Sequence, residues 1–439
     1  MTAAAVALPL PSQPGLAMEG TPSMRLPGEH FAAALAFLAA GAAGLVWVAP
    51  ELAAGLYLSP RVAGVTHAFT LGFLTMTIFG ALYQLLPVAL GVSIRSERWG
   101  HVSFWMFAPG VALFIAGVAS SVAALRHAGA ALLVAGTACL IVNVAGSLRR
   151  ATQHDVIRTA IAIALTFLAA TLVLGLTLVV NLRSGFLAEH RVRVLAVHLH
   201  VALIGWVLVM IIGISQRLLP MFLLAHGVDA RWTRRAIALA PSGVVALAAG
   251  LLCGFSSTHR SIQAVLTWTG VALIAAGVAA FLVQCGRFFR ARLRRRLDAG
   301  LRHVALSIAC IAVAAALGPI VMHLGRAHPR LDVDYVMLGL LGLVLYAVGQ
   351  LYKIVPFLAW ISRFRHEMGR QPVPTVAELY SADVAHGGLA AFAMAMALLP
   401  AGVALGAPAM VRGGALLFAA GCAALISQMI RVVYARARR

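Results

Sequence analysis

The chain alternates long apolar runs with short polar joints along almost its whole length. Each run holds roughly 20 residues, enough for an α-helix to cross the hydrocarbon core of a bilayer, about 30 Å thick. Backbone groups without partners are costly in lipid, so such runs predict transmembrane helices. The twelve predicted spans are 29–50, 62–91, 101–122, 127–147, 157–181, 194–224, 234–254, 263–288, 301–324, 333–360, 383–404 and 411–432. We therefore predict an all-α, polytopic membrane protein.

Composition supports this class and excludes a soluble domain. Of the 439 residues, 62% are hydrophobic and 11% are charged, and the mean hydropathy is +0.95. The formal net charge of +21 does not indicate nucleic-acid binding, because the basic residues flank apolar spans, where membrane topology explains them. We expect membrane lipid, and no nucleic acid, as a partner.

The basic residues also predict an orientation. Arginines concentrate in the joints on the side that holds both termini, including the run 287–296, whereas the opposite joints carry few. By the positive-inside rule both termini are expected in the cytoplasm of a bacterial-type inner membrane. Residues 1–28 are predicted to be a flexible cytoplasmic segment. They lack the features of a cleaved signal, so the first span is expected to be an anchor.

Spans two, six and ten share one pattern within the single transmembrane domain 29–439. Residues 67–87 read HAFTLGFLTMTIFGALYQLLP, residues 200–220 read HVALIGWVLVMIIGISQRLLP and residues 336–356 read VMLGLLGLVLYAVGQLYKIVP. Helices four apart run in the same direction, so we predict three parallel quasi-repeats, 29–150, 151–298 and 299–439. The aligned prolines are expected to end or kink each helix, and the glycines to let a neighbour approach closely. Common helix-packing preferences are the alternative explanation.

Among the histidines within these spans, where a polar group needs a partner, the candidate ligands are His67, His198, His200 and His323. His67 and His200 begin the first two copies, and Val336 replaces histidine in the third. Two imidazoles on facing helices can bind a haem iron from both sides, so we predict His67 and His200 as axial ligands of haem b. Hydrogen bonds to backbone carbonyls or to Ser and Thr are the alternative.

His198 and His200 are about 200° apart on a helix, which predicts two separate environments. A second haem or copper centre could use His198 together with His323. The haem propionates could be neutralised by three arginines of one outer joint, although ordinary surface positions also explain them. These are Arg183, Arg191 and Arg193.

The segment from His198 to His200, followed by Gly213 and Pro220, resembles the haem-ligating helix of subunit I of haem-copper oxidases, which carries an H-x-H motif. The segment around His67 resembles that family's other haem-ligating helix. The resemblance covers nearly the whole chain and implies twelve helices in three quasi-repeats. It also implies that His67 and His200 hold a low-spin haem and His198 a high-spin one.

The H-x-H motif here lies in the sixth span, whereas the family has it in the tenth. The family's copper-binding His-Pro-Glu-Val segment and His-His pair do not occur. We therefore expect no standard copper centre. A stand-alone oxidase-like protein fits the pattern, as does, more generally, a relative of the haem- and copper-containing NnrS proteins linked to nitric oxide metabolism.

Three functions are compatible with these residues. The first is a b-type haem protein acting in electron transfer, respiration or the handling of NO and O₂, with a redox partner or other respiratory subunits. The second is a transporter or channel whose buried histidines line a path for protons or metal ions. The third is a haem- or copper-sensing partner in oxidase assembly.

Overall fold

The computed structural model describes residues 23–151, 155–253, 260–324, 327–367, 370 and 372–434. Within these ranges twelve helices are long and apolar enough to cross a membrane, which confirms the predicted class. They are α1 (Arg25–Trp47), α2 (Pro60–Pro87), α3 (Glu97–Ala119), α4 (Ala123–Leu148), α5 (Val156–Ser184), α6 (Ala188–Leu223), α7 (Arg231–Cys253), α8 (Arg260–Arg290), α9 (Ala299–Leu324), α10 (Pro329–Glu367), α11 (Ala382–Leu405) and α12 (Pro408–Tyr434).

Several boundaries differ from the predicted ones. Helix α1 begins at Arg25, so the last residues of the predicted segment 1–28 are helical. Residues 1–22 of that segment lie outside the described residues. A short helix, Ala49–Ala53, links α1 to α2. The segment Val376–Leu379 forms a short 3₁₀-helix before α11.

Helices α2, α6 and α10 form the centre of the bundle. Their most apolar windows are 89%, 61% and 72% buried within the protein, whereas the other nine helices range from 28% to 44%. Greater hydrophobicity does not explain this difference, since α2 and α10 are less apolar than the outer helices α5 and α9 and lipid is as apolar as a protein core. The three helices with the shared sequence pattern are thus the three most enclosed ones.

The aligned glycines are points of close helix contact, as predicted. A Cβ atom placed on Gly80 would lie 2.8 Å from His30 Cβ of α1, and one on Gly213 would lie 2.3 Å from Ala160 Cβ of α5. At Gly349 it would lie 2.7 Å from the Gly300 carbonyl oxygen of α9. Each glycine therefore admits the helix that precedes it in the chain. The arrangement of three quasi-repeats about a common axis stays a prediction.

The prolines do not terminate their helices, contrary to the first of the two predicted effects. The helix of α2 continues beyond its apolar span Pro60–Pro87 to Leu90, and that of α6 continues to Leu223, in each case three residues past the proline. Helix α10 continues beyond Pro356 as an α-helix to Phe364. Proline lacks a donor, but the carbonyl of Pro87 still accepts a hydrogen bond from Gly91 N at 3.0 Å.

Candidate cofactor site

A cavity of about 820 Å³ lies among the N-terminal halves of α2, α6 and α10 and reaches α3, α4 and α5. Its volume is within the range of about 300–1,000 Å³ that is common for small-molecule and cofactor sites. Most of its lining is aliphatic or aromatic. The basic and imidazole side chains that line it are His67, Arg126, Arg191, Arg193, His198 and His200.

His67 lines this cavity from α2 and is fixed by its own helix. Its Nδ1 donates a hydrogen bond of 2.7 Å to the carbonyl of Ala63, one turn earlier. Its ring meets that of Phe114 edge to face, with centroids 5.2 Å apart. A neutral imidazole that donates through Nδ1 has its lone pair on Nε2. This is the usual state of a metal-binding histidine, whose second nitrogen is held by a carbonyl.

His200 is held in the same way but has a second partner. Its Nδ1 donates to the carbonyl of Ala196 at 2.8 Å. Its Nε2 is 3.1 Å from the hydroxyl of Tyr335 on α10, and the two rings are stacked with centroids 6.0 Å apart. With the Nδ1 proton committed to the carbonyl, the hydroxyl is the donor and Nε2 the acceptor.

His198 faces a different helix. Its ring packs against α5, where a Cβ placed on Gly175 would be 3.3 Å from His198 Cε1. It interacts there with the backbone of Thr171 and electrostatically with His67. Its Nδ1 is buried, and none of the described residues offers it a hydrogen bond of normal geometry. His198 and His200 therefore contact opposite neighbours, as their spacing predicts, but both line one cavity.

A π-helix of eight residues follows His67 and another follows His200. These segments are Ala68–Thr75 in α2 and Val201–Leu208 in α6. The indole of Trp206, in the second segment, donates a hydrogen bond of 3.1 Å to Thr75 Oγ1 in the first. Helix α10, which has Val336 in place of histidine, is an ordinary α-helix at this level. Wide turns of this kind often occur at functional sites.

The predicted arginines separate into two groups. Arg191 and Arg193 line the cavity, whereas Arg183 is exposed at the end of α5 and is not part of the lining. His323 is exposed in the last turn of α9 and also lies outside the lining. The structure thus does not bring His323 together with His198.

Sequence reasoning missed two residues of the site. Arg126 falls in the joint between the predicted spans 101–122 and 127–147, but it lies in α4, is only 7% exposed and lines the cavity. Its Nε atom has no hydrogen-bond partner among the residues that the structure describes. The one available signal was an isolated arginine next to a long apolar span. Tyr335 had no signal, because its role depends on His200, 135 positions away in sequence.

These residues fit a planar, apolar ligand with a metal centre and anionic groups. Imidazoles from α2 and α6 reach one apolar space, and guanidinium groups border the same space. Across the described ranges, no cluster of three or more His, Cys, Asp and Glu side chains is arranged to hold a metal ion. An axial pair of histidines needs no such cluster, since a porphyrin supplies the other four ligands.

In the part of the chain that the structure describes, twelve helices are long and apolar enough to span a membrane, which defines the class as a multi-pass membrane protein. No protein-family model matches the chain, and no match is found among curated proteins.

Proposed function

We propose that the chain binds a b-type haem in the cavity between α2 and α6 and acts in electron transfer, respiration or the handling of O₂ or NO. One observation carries the proposal: imidazoles from two helices line a single apolar cavity of sufficient volume. The sequence prediction pairs His67 with His200. The H-x-H motif offers a second candidate, His198, on the same helix.

The surrounding residues support this function in three ways. Backbone carbonyls orient the rings of His67 and His200, which reduces the entropy lost when a ligand is bound. The aliphatic lining excludes water. Arg126, Arg191 and Arg193 are cations that could neutralise propionate groups. A bound haem would supply one-electron redox chemistry.

The test is spectroscopy of the full chain, expressed with ample haem and purified in detergent. We expect a sharp reduced α band, a low-spin bis-imidazole signal and one b-type haem per chain in a pyridine haemochrome assay. Oxygen and nitric oxide consumption would then separate catalytic turnover from electron transfer. A colourless protein under these conditions overturns the proposal and favours transport.

We further propose that the protein lies in a bacterial-type inner membrane with both termini in the cytoplasm, and that a redox partner meets it at the membrane surface. The asymmetry of the arginines supports this orientation. Alkaline phosphatase fused after α5 is expected to be active, and the same enzyme fused after α4 inactive. The reverse result would invert the topology and place the cavity near the cytoplasmic side.

A further inference from the structure

The two nitrogens of His200 are both engaged. One donates to the Ala196 carbonyl at 2.8 Å and the other is 3.1 Å from the Tyr335 hydroxyl. Ligation through Nε2 would break the second bond and strand a hydroxyl in largely apolar surroundings. A buried polar group left without a partner costs about 1–3 kcal/mol. His200 is therefore a poorly available ligand.

His67 and His198 differ from His200 in this respect. The Nε2 atoms of His67 and His198 form no hydrogen bond with any part of the chain that the structure describes, whereas Nδ1 of His198 lies beside Gly175 and the Thr171 backbone of α5. The two side chains are also near enough to interact electrostatically. Both line the cavity, one from α2 and one from α6.

The space beside His198 is created by Gly175 of α5. Any side chain there would meet the imidazole, since even a Cβ would be 3.3 Å from His198 Cε1. The imidazole therefore packs against the Gly175 position of α5 and still lines the cavity. Tyr335 holds His200 toward α10, on the opposite side of α6.

We infer that His198, and not His200, is the partner of His67 in binding the cofactor, and that the hydrogen bond between His200 and Tyr335 is a structural contact between α6 and α10. The inference rests on the proposed haem function. It changes the assignment given by the H-x-H resemblance, because the first histidine of the motif, and not the second, interacts electrostatically with His67 and has an Nε2 without a hydrogen bond among the described residues.

The test compares His67→Ala, His198→Ala and His200→Ala in the full chain, using electron paramagnetic resonance and absorption spectra of the haem-loaded protein. We expect the low-spin bis-imidazole signal to fall more than about tenfold in the first two variants. Added imidazole should restore it. His200→Ala and Tyr335→Phe should retain the signal.

Size-exclusion profiles check that each variant folds. His198→Met is a second control, because methionine keeps a ligand at that position. This variant should show a His–Met spectrum and a higher reduction potential. Loss of the signal in His200→Ala with retention in His198→Ala overturns the inference alone. Retention in both variants also overturns it. A wild-type protein without haem overturns the proposed function itself, so the two failures are distinguishable.

Discussion

At the scale of single residues, the site is decided by which polar atoms lack a partner. Three histidines line the same cavity, but their neighbours differ. The ring of His200 is hydrogen-bonded at both nitrogens, whereas Nε2 of His198 has no hydrogen bond among the described residues. Hydrogen-bonding capacity, rather than residue type, therefore distinguishes a candidate ligand from a structural histidine.

Removing the charge of Arg126 is expected to stabilise the haem-free protein and to weaken haem binding. No carboxylate of the described residues pairs with this buried guanidinium, and an unpaired buried charge is costly. Arg126→Gln should therefore raise the melting temperature of the haem-free protein. It should also weaken haem binding roughly tenfold or more, since a charge-assisted hydrogen bond contributes about 1.5–3 kcal/mol. Thermal unfolding and haem titration measure the two effects.

Arg183→Gln is the matched control, because Arg183 is exposed and outside the cavity. It should leave haem affinity unchanged. Equal losses of affinity in the two variants would show that net surface charge, and not Arg126, attracts the ligand.

Asp229, in the loop between α6 and α7, is expected to make the stability of the folded protein depend on pH. Hydrogen bonds from Arg287 and from the backbone N–H of Arg231 hold the pKa of this carboxyl well below its usual value. Because the folded-state pKa is below the unfolded one, the stabilisation is complete at neutral pH. It is lost as the pH falls below the ordinary Asp range, near about 4. Unfolding of wild type and Asp229→Asn should converge in acid; a constant difference would contradict this.

At the scale of elements, three kinds of local feature set the helix geometry. Glycines bring α1, α5 and α9 close to α2, α6 and α10. The π-helical segments follow the histidines of α2 and α6 and are joined by the bond between Trp206 and Thr75. The ends of α2 and α6 lie three residues beyond their prolines. Helices α2 and α6, which share the spacing of His, Gly and Pro in sequence, thus also share local structure.

The contact at Gly213 predicts a steric penalty. Gly213→Ala would place a methyl group 2.3 Å from Ala160 Cβ, and Ala160 is fully buried. Overpacking of this kind typically costs about 1–3 kcal/mol. Gly286→Ala in α8 is the control, because a Cβ there meets nothing within 4 Å and alanine favours helix. Denaturant unfolding should show destabilisation by the first substitution only; equal stabilities would refute the close contact.

At the scale of the whole molecule, polar contacts near the helix ends connect helices that are distant in sequence. Asp298 precedes α9 and accepts a hydrogen bond of 3.1 Å from the backbone N–H of Leu301. The same carboxylate is 2.5 Å from Lys353 Nζ of α10 and 2.9 Å from Arg294 Nη1. One side chain therefore caps a helix and joins the α8–α9 connection to the central α10.

Substitutions at Asp298 should separate these two roles. Asp298→Asn keeps an oxygen for the cap and loses the charge, which we expect to cost about 1 kcal/mol because the pair is partly exposed. Asp298→Ala also loses the cap, for a total of about 2 kcal/mol. A double-mutant cycle with Lys353→Met isolates the ion pair. Coupling near zero would show that Asp298 acts as a cap alone.

The sequence by itself determined the membrane class and the twelve spans. It could do so because a backbone in lipid must satisfy its own hydrogen bonds, which makes apolar run length a reliable sign of a helix. The shared pattern also identified the helices that the structure encloses most.

Only the tertiary structure decided the polar partners and the shape of the site. Burial of Arg126 depends on how α4 packs against the cavity, and the bond between His200 and Tyr335 joins residues 135 positions apart. Neither leaves a local pattern, because hydrogen bonds between distant helices depend on their relative rotation and depth. His198 and His200 both precede the π-helical segment of α6, so helical periodicity gives the angle between them, but their direction relative to α2 depends on how α6 is rotated in the bundle.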